Sequence, residues 1–156
     1  MTEGIVKQYV ITRTYDVLYD LLSSVSDPLS RTQANFIKSS FPNPNSYKNC
    51  KGGDTWQYPL VVIEGANIER VPLSVDRAQT ISKETVTTEI EVHARTSLER
   101  DQIAQDIMHV LYNNASSLST GTLQNMRMMG SSDDIDFLGE VKVRIKRMTF
   151  QFQRVD

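Results

Sequence analysis

The chain has 156 residues, of which 39% are hydrophobic and 23% charged, with a formal net charge of −2. This length is typical of one domain with a sizeable core. Because the net charge is close to zero, the overall composition does not indicate binding to nucleic acid. No apolar run is long enough to span a membrane, and the N-terminus lacks the pattern of a signal peptide. The single cysteine, Cys50, excludes an intramolecular disulfide. We therefore predict one domain over residues 1–156, made in a cytoplasm.

Apolar residues between positions 4 and 25 follow helical spacing. One face of a 3.6-residue repeat carries Val17, Leu18, Leu21, Leu22 and Val25. The same face extends upstream to residues 5–10, so the start of the helix is left open. The residue before a proline is pushed out of the helical region, so the predicted helix ends at Ser26-Asp-Pro28.

The pattern is broken between residues 29 and 58. The segment Ala34–Lys38 reads as either a short strand or a helical turn. Residues 41–57 are dense in turn-forming types, which predicts a long loop. Such a loop is either a solvated surface segment or a binding or assembly loop.

Two short strands are predicted next. The segment Tyr58–Glu64 is apolar and β-branched, which indicates a buried strand. The segment Ile68–Val75 alternates weakly, and Pro72 within it favours an edge or bulged strand. The polar stretch Asp76–Glu84 is predicted to be a loop.

A strand–helix unit follows with the clearest pattern in the chain. Residues 85–95 alternate strictly between apolar and polar side chains, which predicts a half-buried strand of an antiparallel sheet. Thr96 and Glu99 have the spacing of a capping box at a helix start. An apolar stripe at helical spacing then predicts a helix from Ser97 to about Leu118.

The C-terminal part is predicted to hold one or two strands. Residues 123–129 are a candidate strand, and Gly130–Asp136 is predicted as an acidic turn within a variable loop over residues 122–138. The last strand, from Gly139 to Val155, changes parity between Ile145 and Phe150. We expect either a bulge near Arg147 or Met148, or a second half that leaves the sheet and packs elsewhere, against another subunit for example. The fold class is therefore α+β, a mostly antiparallel sheet with two main helices packed against it and long loops.

Candidate chemistry is sparse. His93 and His109 are the only histidines, and each is expected to be solvent-exposed or, for His93, paired across strands. Cys50 has no neighbouring histidine or basic cluster, so a reactive thiolate is not expected. The acidic residues of the predicted turn lack the glycine and the final glutamate of a calcium loop. We therefore predict that the chain is not an enzyme and has no catalytic residue, cofactor or metal site.

Two charged strand faces remain. The strand over residues 85–95 presents Glu89 and Glu91, and the last strand presents Lys142, Arg144 and Lys146. If the strands are neighbours, these charges pair across the sheet. The alternative is a patch presented to a partner subunit.

Together these features resemble the tail terminator, or tail completion, proteins of long-tailed bacteriophages and related viruses. The resemblance is one of order: an N-terminal helix, the strand Tyr58–Glu64, the alternating strand Val86–Arg95, the capped helix Ser97–Leu118, and the long closing strand after Gly139. It covers about the last two thirds of the chain.

The resemblance implies a virion protein that forms a homohexameric ring, assembled in the host cytoplasm without a membrane. Such a ring caps the tail tube, ends its polymerisation and presents the docking surface for the head. Its partners would be the tail tube protein, a head completion or neck protein, and genomic DNA that passes through the lumen without sequence-specific binding. Candidate subunit contacts are Met148, Phe150 and Phe152 together with Lys142, Arg144, Lys146, Glu89 and Glu91. Candidate lumen-facing residues are Asp133, Asp134 and Asp136.

Two alternatives stay open. One is another virion protein, either a head completion or neck adaptor or a minor tail protein. The other is a small cellular α+β ligand-binding domain or enzyme.

Overall fold

The computed structural model describes residues 15–42, 44, 56–64, 67–72, 82–114 and 124–155. Three helical segments lie within them: α1 over residues 15–21, continued by a 3-10 turn at Leu22–Ser24; α2, Gln33–Phe36; and α3, Ser97–Asn113. The strands are β1, Ile37–Lys38; β2, Leu60–Ile63; β3, Asn67–Pro72; β4, Ser82–Ala94; β5, Gln124–Leu138; and β6, Val141–Val155.

The strands form one six-stranded sheet in the order β1-β2-β4-β6-β5, with β3 also paired to β4. β1 and β2 are parallel, and the other pairs are antiparallel. This confirms the predicted α+β class with a mostly antiparallel sheet. Because β6 occupies one side of β4, β2 and β3 share the other side.

One face of the sheet, here called the helix face, packs against α1 and α3. Its core joins the even-numbered residues of β4 to apolar residues of both helices, which follow the predicted helical spacing. Fully or almost fully buried members are Leu18, Leu22, Val86, Ile90, Val92, Ile103, Ile107 and Leu111. A second cluster lies on the opposite face and contains Trp56, Tyr58, Leu60, Val143 and Ile145.

The strand β6 keeps one register with β4 from Lys83↔Val155 to Ala94↔Arg144. The predicted bulge near Arg147 or Met148 is therefore wrong, and the second half of the strand does not leave the sheet. The parity change has another cause. The first half of β6 buries odd-numbered residues on the opposite face, whereas the second half buries even-numbered residues under the helices.

The residues predicted as an acidic turn, Gly130–Asp136, belong to β5. The chain turns later, at Gly139, whose φ of 62° suits the first central position of a two-residue hairpin turn. Pairing with β6 overrides the weak strand preference of the Gly-Ser-Ser-Asp-Asp run. Two register shifts, between Gln124/Arg127 and Met128/Gly130, interrupt only the first half of β5.

Several local predictions are confirmed. The Thr96 Oγ1 accepts a hydrogen bond from the Glu99 amide at 3.2 Å, as a capping box requires. All of β2 is buried, and the first helix ends before Pro28. The segment predicted as either turn or strand is both, because α2 leads directly into β1.

Other boundaries shift. β4 begins at Ser82, so the predicted loop Asp76–Glu84 is wrong over its last residues. The helix α3 is described as far as Asn113, and its predicted extension to Leu118 lies outside the described residues, as does most of the loop over residues 41–57. No helix in the described part of the chain is long and apolar enough to cross a membrane.

Candidate functional site

The opposite face of the sheet carries a charged cluster centred on Arg147. Its Nε donates a hydrogen bond to Glu91 Oε2 at 2.8 Å and lies 3.7 Å from Glu89 Oε1. Its Nη1 donates to Asp134 Oδ2 at 3.1 Å. Since Arg147 is the cross-strand neighbour of Glu91, one guanidinium connects β4, β6 and β5. This arrangement cross-links three strands.

His93 continues the cluster towards the apolar part of that face. Only 6% of the residue is exposed, its Nε2 lies 3.2 Å from Glu91 Oε1, and its ring centroid lies 5.1 Å from that of Phe41. The prediction of an exposed or cross-strand-paired His93 is therefore wrong, because its partner is on its own strand. Burial lowers the pKa of His93 below its ordinary value, although Glu91 opposes this shift. The imidazole is accordingly neutral at pH 7.

Three glutamates in the cluster differ in proton affinity. Burial, and then the charge of Glu91, raises the pKa of Glu64, and burial with a hydrogen bond to Glu91 raises that of Glu89. Burial alone would raise the pKa of Glu91 as well. Hydrogen bonds from His93, Glu89 and Arg147 nevertheless hold it below the usual range. Glu91 is thus the carboxylate that the cluster keeps ionised, and its neighbours take up protons first on acidification.

A cleft of about 300 Å³ lies beside this cluster. Its aromatic side continues into a group of rings that meet edge to face, with centroids 5.3 Å apart for both the Phe41–Trp56 and the Trp56–Tyr58 pair. The volume is at the small end of the range for ligand pockets, and most of the lining is apolar. The cleft is therefore suited to an apolar or aromatic group. Its lining residues are Phe41, Pro44, Tyr58, His93, Asp136, Phe137, Leu138, Val143, Ile145 and Arg147.

A second charged cluster lies on the helix face. Lys146 Nζ is 2.9 Å from Asp133 Oδ1 and 3.6 Å from Asp101 Oδ1. Arg100 Nε donates to Asp101 at 2.9 Å, and its Nη2 lies 3.6 Å from Asp133. These contacts tie α3 to β5 and β6. The role is structural, and the two aspartates are half exposed, so each pair is worth little in stability.

The predicted pairing of the β4 glutamates with Lys142, Arg144 and Lys146 is wrong. Lys142, Arg144 and Lys146 are even-numbered and lie on the helix face, where Lys146 meets Asp101 of α3. Glu89 and Glu91 lie on the opposite face and use Arg147. The sequence contains the missing signal, since Arg147 has the same odd parity as Val143 and Ile145.

The predicted subunit contacts Met148, Phe150 and Phe152 are each 0% exposed. They fill the core between β6 and the helices, packed with residues such as Leu18 and Ile107. Their placement contradicts their assignment as interface residues, because the fold of the chain itself already covers them.

The exposed apolar side chains lie elsewhere. Leu98 at the start of α3 is 69% exposed, and Ile135 and Phe137 of β5 are 51% and 63% exposed. The predicted lumen residues Asp133, Asp134 and Asp136 are also exposed on β5. Asp133 points to the helix face, where it meets Lys146, and Asp134 to the opposite face, where it meets Arg147. Whether they face a lumen stays a prediction.

A scan against protein-family models and a search of curated proteins find no match to this chain. Among the described residues, no group of three or more histidine, cysteine, aspartate or glutamate side chains is arranged to hold a metal ion. The site is thus defined by its own geometry: an internally paired charged cluster, an apolar cleft, and a long exposed strand beside them.

Proposed function

We propose that this protein is a structural component of a virion that assembles into a ring, caps the tail tube, ends its polymerisation and provides the docking surface for the head. The ring is a homohexamer, and it meets the tail tube protein on one side and a neck protein on the other. Genomic DNA passes through its lumen without sequence-specific binding. The protein acts by contact and not by catalysis.

One observation carries the proposal beyond the resemblance in the order of elements. The strand β5 lies at the edge of the sheet and presents Ile135 and Phe137 to solvent over a stretch where every residue from 129 to 137 is exposed. Long, exposed, partly apolar edges favour association with other chains, and proteins that stay monomeric usually shorten or cover them. Such an edge supports a role in assembly.

The charged cluster also fits a structural role better than a catalytic one. Glu91 is engaged by Arg147 across the strands and by His93 within β4, so the carboxylate and the imidazole that could act as base or acid are already paired with each other. A closed ring further requires a heterologous contact between two different patches. The exposed Leu98 on α3 is a candidate for one of them.

Two measurements test the proposal. Native mass spectrometry of the purified protein should give a closed oligomer of six, and Leu98→Glu should shift it to smaller species, whereas Asp106→Asn, at an exposed position of the same helix, should not. A strict monomer that binds a small aromatic ligand in the cleft would instead favour a ligand-binding domain.

Electron microscopy of particles lacking the protein separates the virion roles. Overlong or headless tails would support the tail terminator. Heads that lose DNA while tails are normal would support a head completion or neck adaptor, and particles with normal joints would point to a minor tail protein.

A further inference from the structure

The second half of β5 has a regular register, from Gly130↔Thr149 to Leu138↔Val141. In a hairpin closed by a two-residue turn, the pair that flanks the turn exchanges both backbone hydrogen bonds, and such pairs alternate along the ladder. Leu138 and Asp136 therefore direct their amides towards β6. Ile135 and Phe137 direct theirs outward, away from the sheet.

Two aspartates accept hydrogen bonds from these outward amides. The Ile135 amide donates to Asp134 Oδ1 and the Phe137 amide donates to Asp136 Oδ1, each at 2.8 Å. Both carboxylates are on exposed residues of the strand. Each aspartate thus bonds the next amide along the edge, which satisfies a donor that another strand would otherwise use.

Side chains on this edge are sorted by face. Ile135 and Phe137 share the helix face with their cross-strand neighbours Arg144 and Lys142, and both are more than half exposed. Asp134 and Asp136 project to the opposite face, and Asp136 and Phe137 both border the apolar cleft at the end of the hairpin. A strand added along β5 would place alternate side chains beside these two sets.

From this geometry we infer that the edge Gly130–Leu138 is a docking site for an extended segment of a different protein in which basic and apolar residues alternate. The apolar side chains of that segment lie beside Ile135 and Phe137. Its lysines or arginines bind Asp134 and Asp136, which draws the carboxylates away from the outward amides and frees those amides for strand pairing. The aspartates therefore act as a cover that a basic segment removes.

The negative charge of the β5 edge favours a different protein as the docked partner over a second copy of this chain. The acidic edge repels another acidic edge, so two β5 strands would meet unfavourably. Of the other described edge strands, Ile37–Lys38 has only two residues, which is too short for an alternating run, and Asn67–Pro72 has Glu69 next to Arg70. This inference stands on the edge itself and holds whether or not the chain forms a ring.

The test uses the full-length protein and a fluorescent synthetic peptide in which lysine and valine alternate. Two control peptides have glutamate in place of lysine, or the same residues with the lysines in one block. Fluorescence anisotropy should show binding of the alternating lysine peptide at least about tenfold tighter than of either control. Amide hydrogen exchange should show new protection at Ile135 and Phe137.

Backbone pairing is tested on both partners. Ile135→Pro removes one outward donor while the amides facing β6 remain, and it should weaken peptide binding about tenfold relative to Ile135→Val, which keeps the donor. Two further peptides carry N-methyl groups on alternate backbone amides, one on the odd-numbered amides and the other on the even-numbered ones. Only the peptide whose methylated amides would face β5 should lose binding. The second measurement leaves the protein unchanged, so it holds even if the proline variant folds poorly.

The charge contribution is tested by Asp134→Asn with Asp136→Asn, which should weaken binding of the lysine peptide by about three- to tenfold. Equal binding of all three peptides, equal binding of both N-methylated forms, or protection confined to other strands would overturn the inference. So would sedimentation showing that the protein alone dimerises and that Ile135→Pro makes it monomeric, because the occupant would then be a second copy.

Discussion

The strands β5 and β6 have the same length, 15 residues, and pair with each other, yet their environments differ. β6 lies between β4 and β5 and has 0% exposure at Met148, Phe150 and Phe152. β5 lies at the edge, and its residues from 129 to 137 are exposed. Position in the sheet, more than composition, sets what each strand does: β6 stabilises the fold, and β5 is available for recognition.

The two strands also differ in the hydrogen-bond partners of their backbone amides. Over residues 144–153, β6 has a neighbouring strand on each side, so most of its backbone amides can pair with β4 or β5. On β5, Asp134 and Asp136 bond the outward amides of the residues that follow them. The central strand is thus stabilised by pairing and burial. The edge strand is paired with β6 on one side, and on the other side its own aspartates satisfy two of its amides.

The largest test compares one phenylalanine from each strand. Phe150→Ala removes a fully buried ring and should lower the free energy of unfolding by about 3–5 kcal/mol. Phe137→Ala, at a position 63% exposed, should change it by no more than about 0.5 kcal/mol. Urea denaturation followed by circular dichroism measures both. Comparable losses would show that β5 is buried as deeply as β6 in the native protein.

The next test concerns the two charged clusters. Arg147→Met leaves Glu91, whose side chain is 12% exposed, without its guanidinium partner and should cost about 1–3 kcal/mol. Lys146→Met, next in sequence but on the helix face, loses only contacts to half-exposed aspartates and should cost less than about 1 kcal/mol. Urea denaturation of both variants measures the two losses. A larger loss for Lys146→Met than for Arg147→Met would mean that the helix-face cluster contributes more to stability.

A smaller effect is expected from pH. The pKa of His93 is lower in the folded than in the unfolded chain, so the unfolded chain takes up the proton first. This contribution to stability is fully present above the ordinary histidine pKa of about 6.5 and is lost as the pH falls below it. Thermal melting between about pH 7.5 and 5.5 should therefore show a steeper decline for the native protein than for His93→Gln.

The glutamates act in the other direction in that experiment. The raised pKa values of Glu64 and Glu89 favour the fold when they are protonated, and this contribution is lost as the pH rises through their folded values. The comparison with His93→Gln therefore matters more than the native curve alone. Parallel curves for the two proteins would show that His93 does not control this pH range.

The smallest expected effect concerns the aspartates that accept hydrogen bonds from the outward amides of β5. Asp136→Ala removes the acceptor of the Phe137 amide, so that amide should exchange hydrogen faster while stability changes by less than about 0.5 kcal/mol. Asp133→Ala is the control, because its carboxylate meets Lys146 and Arg100 instead. Nuclear magnetic resonance of the amides should show faster exchange at Phe137 in the first variant alone.

Local patterns in the sequence determine a large part of this fold. The strict alternation of residues 85–95 identifies β4, and the capping pair Thr96 and Glu99 with the apolar stripe behind it identifies α3. These elements form where each residue's own preference agrees with the fold, so a single sequence suffices. The α+β class follows from their order.

Only the tertiary structure decides the rest, because it depends on which strands are neighbours. The burial of Phe150 and Phe152 under the helices, and the contact of Arg147 with Glu91, require the register of β6 against β4. The conversion of an acidic turn into strand β5 requires β6 beside it. Long-range pairing sets which face each side chain occupies, and local patterns in the sequence do not show which strands pair.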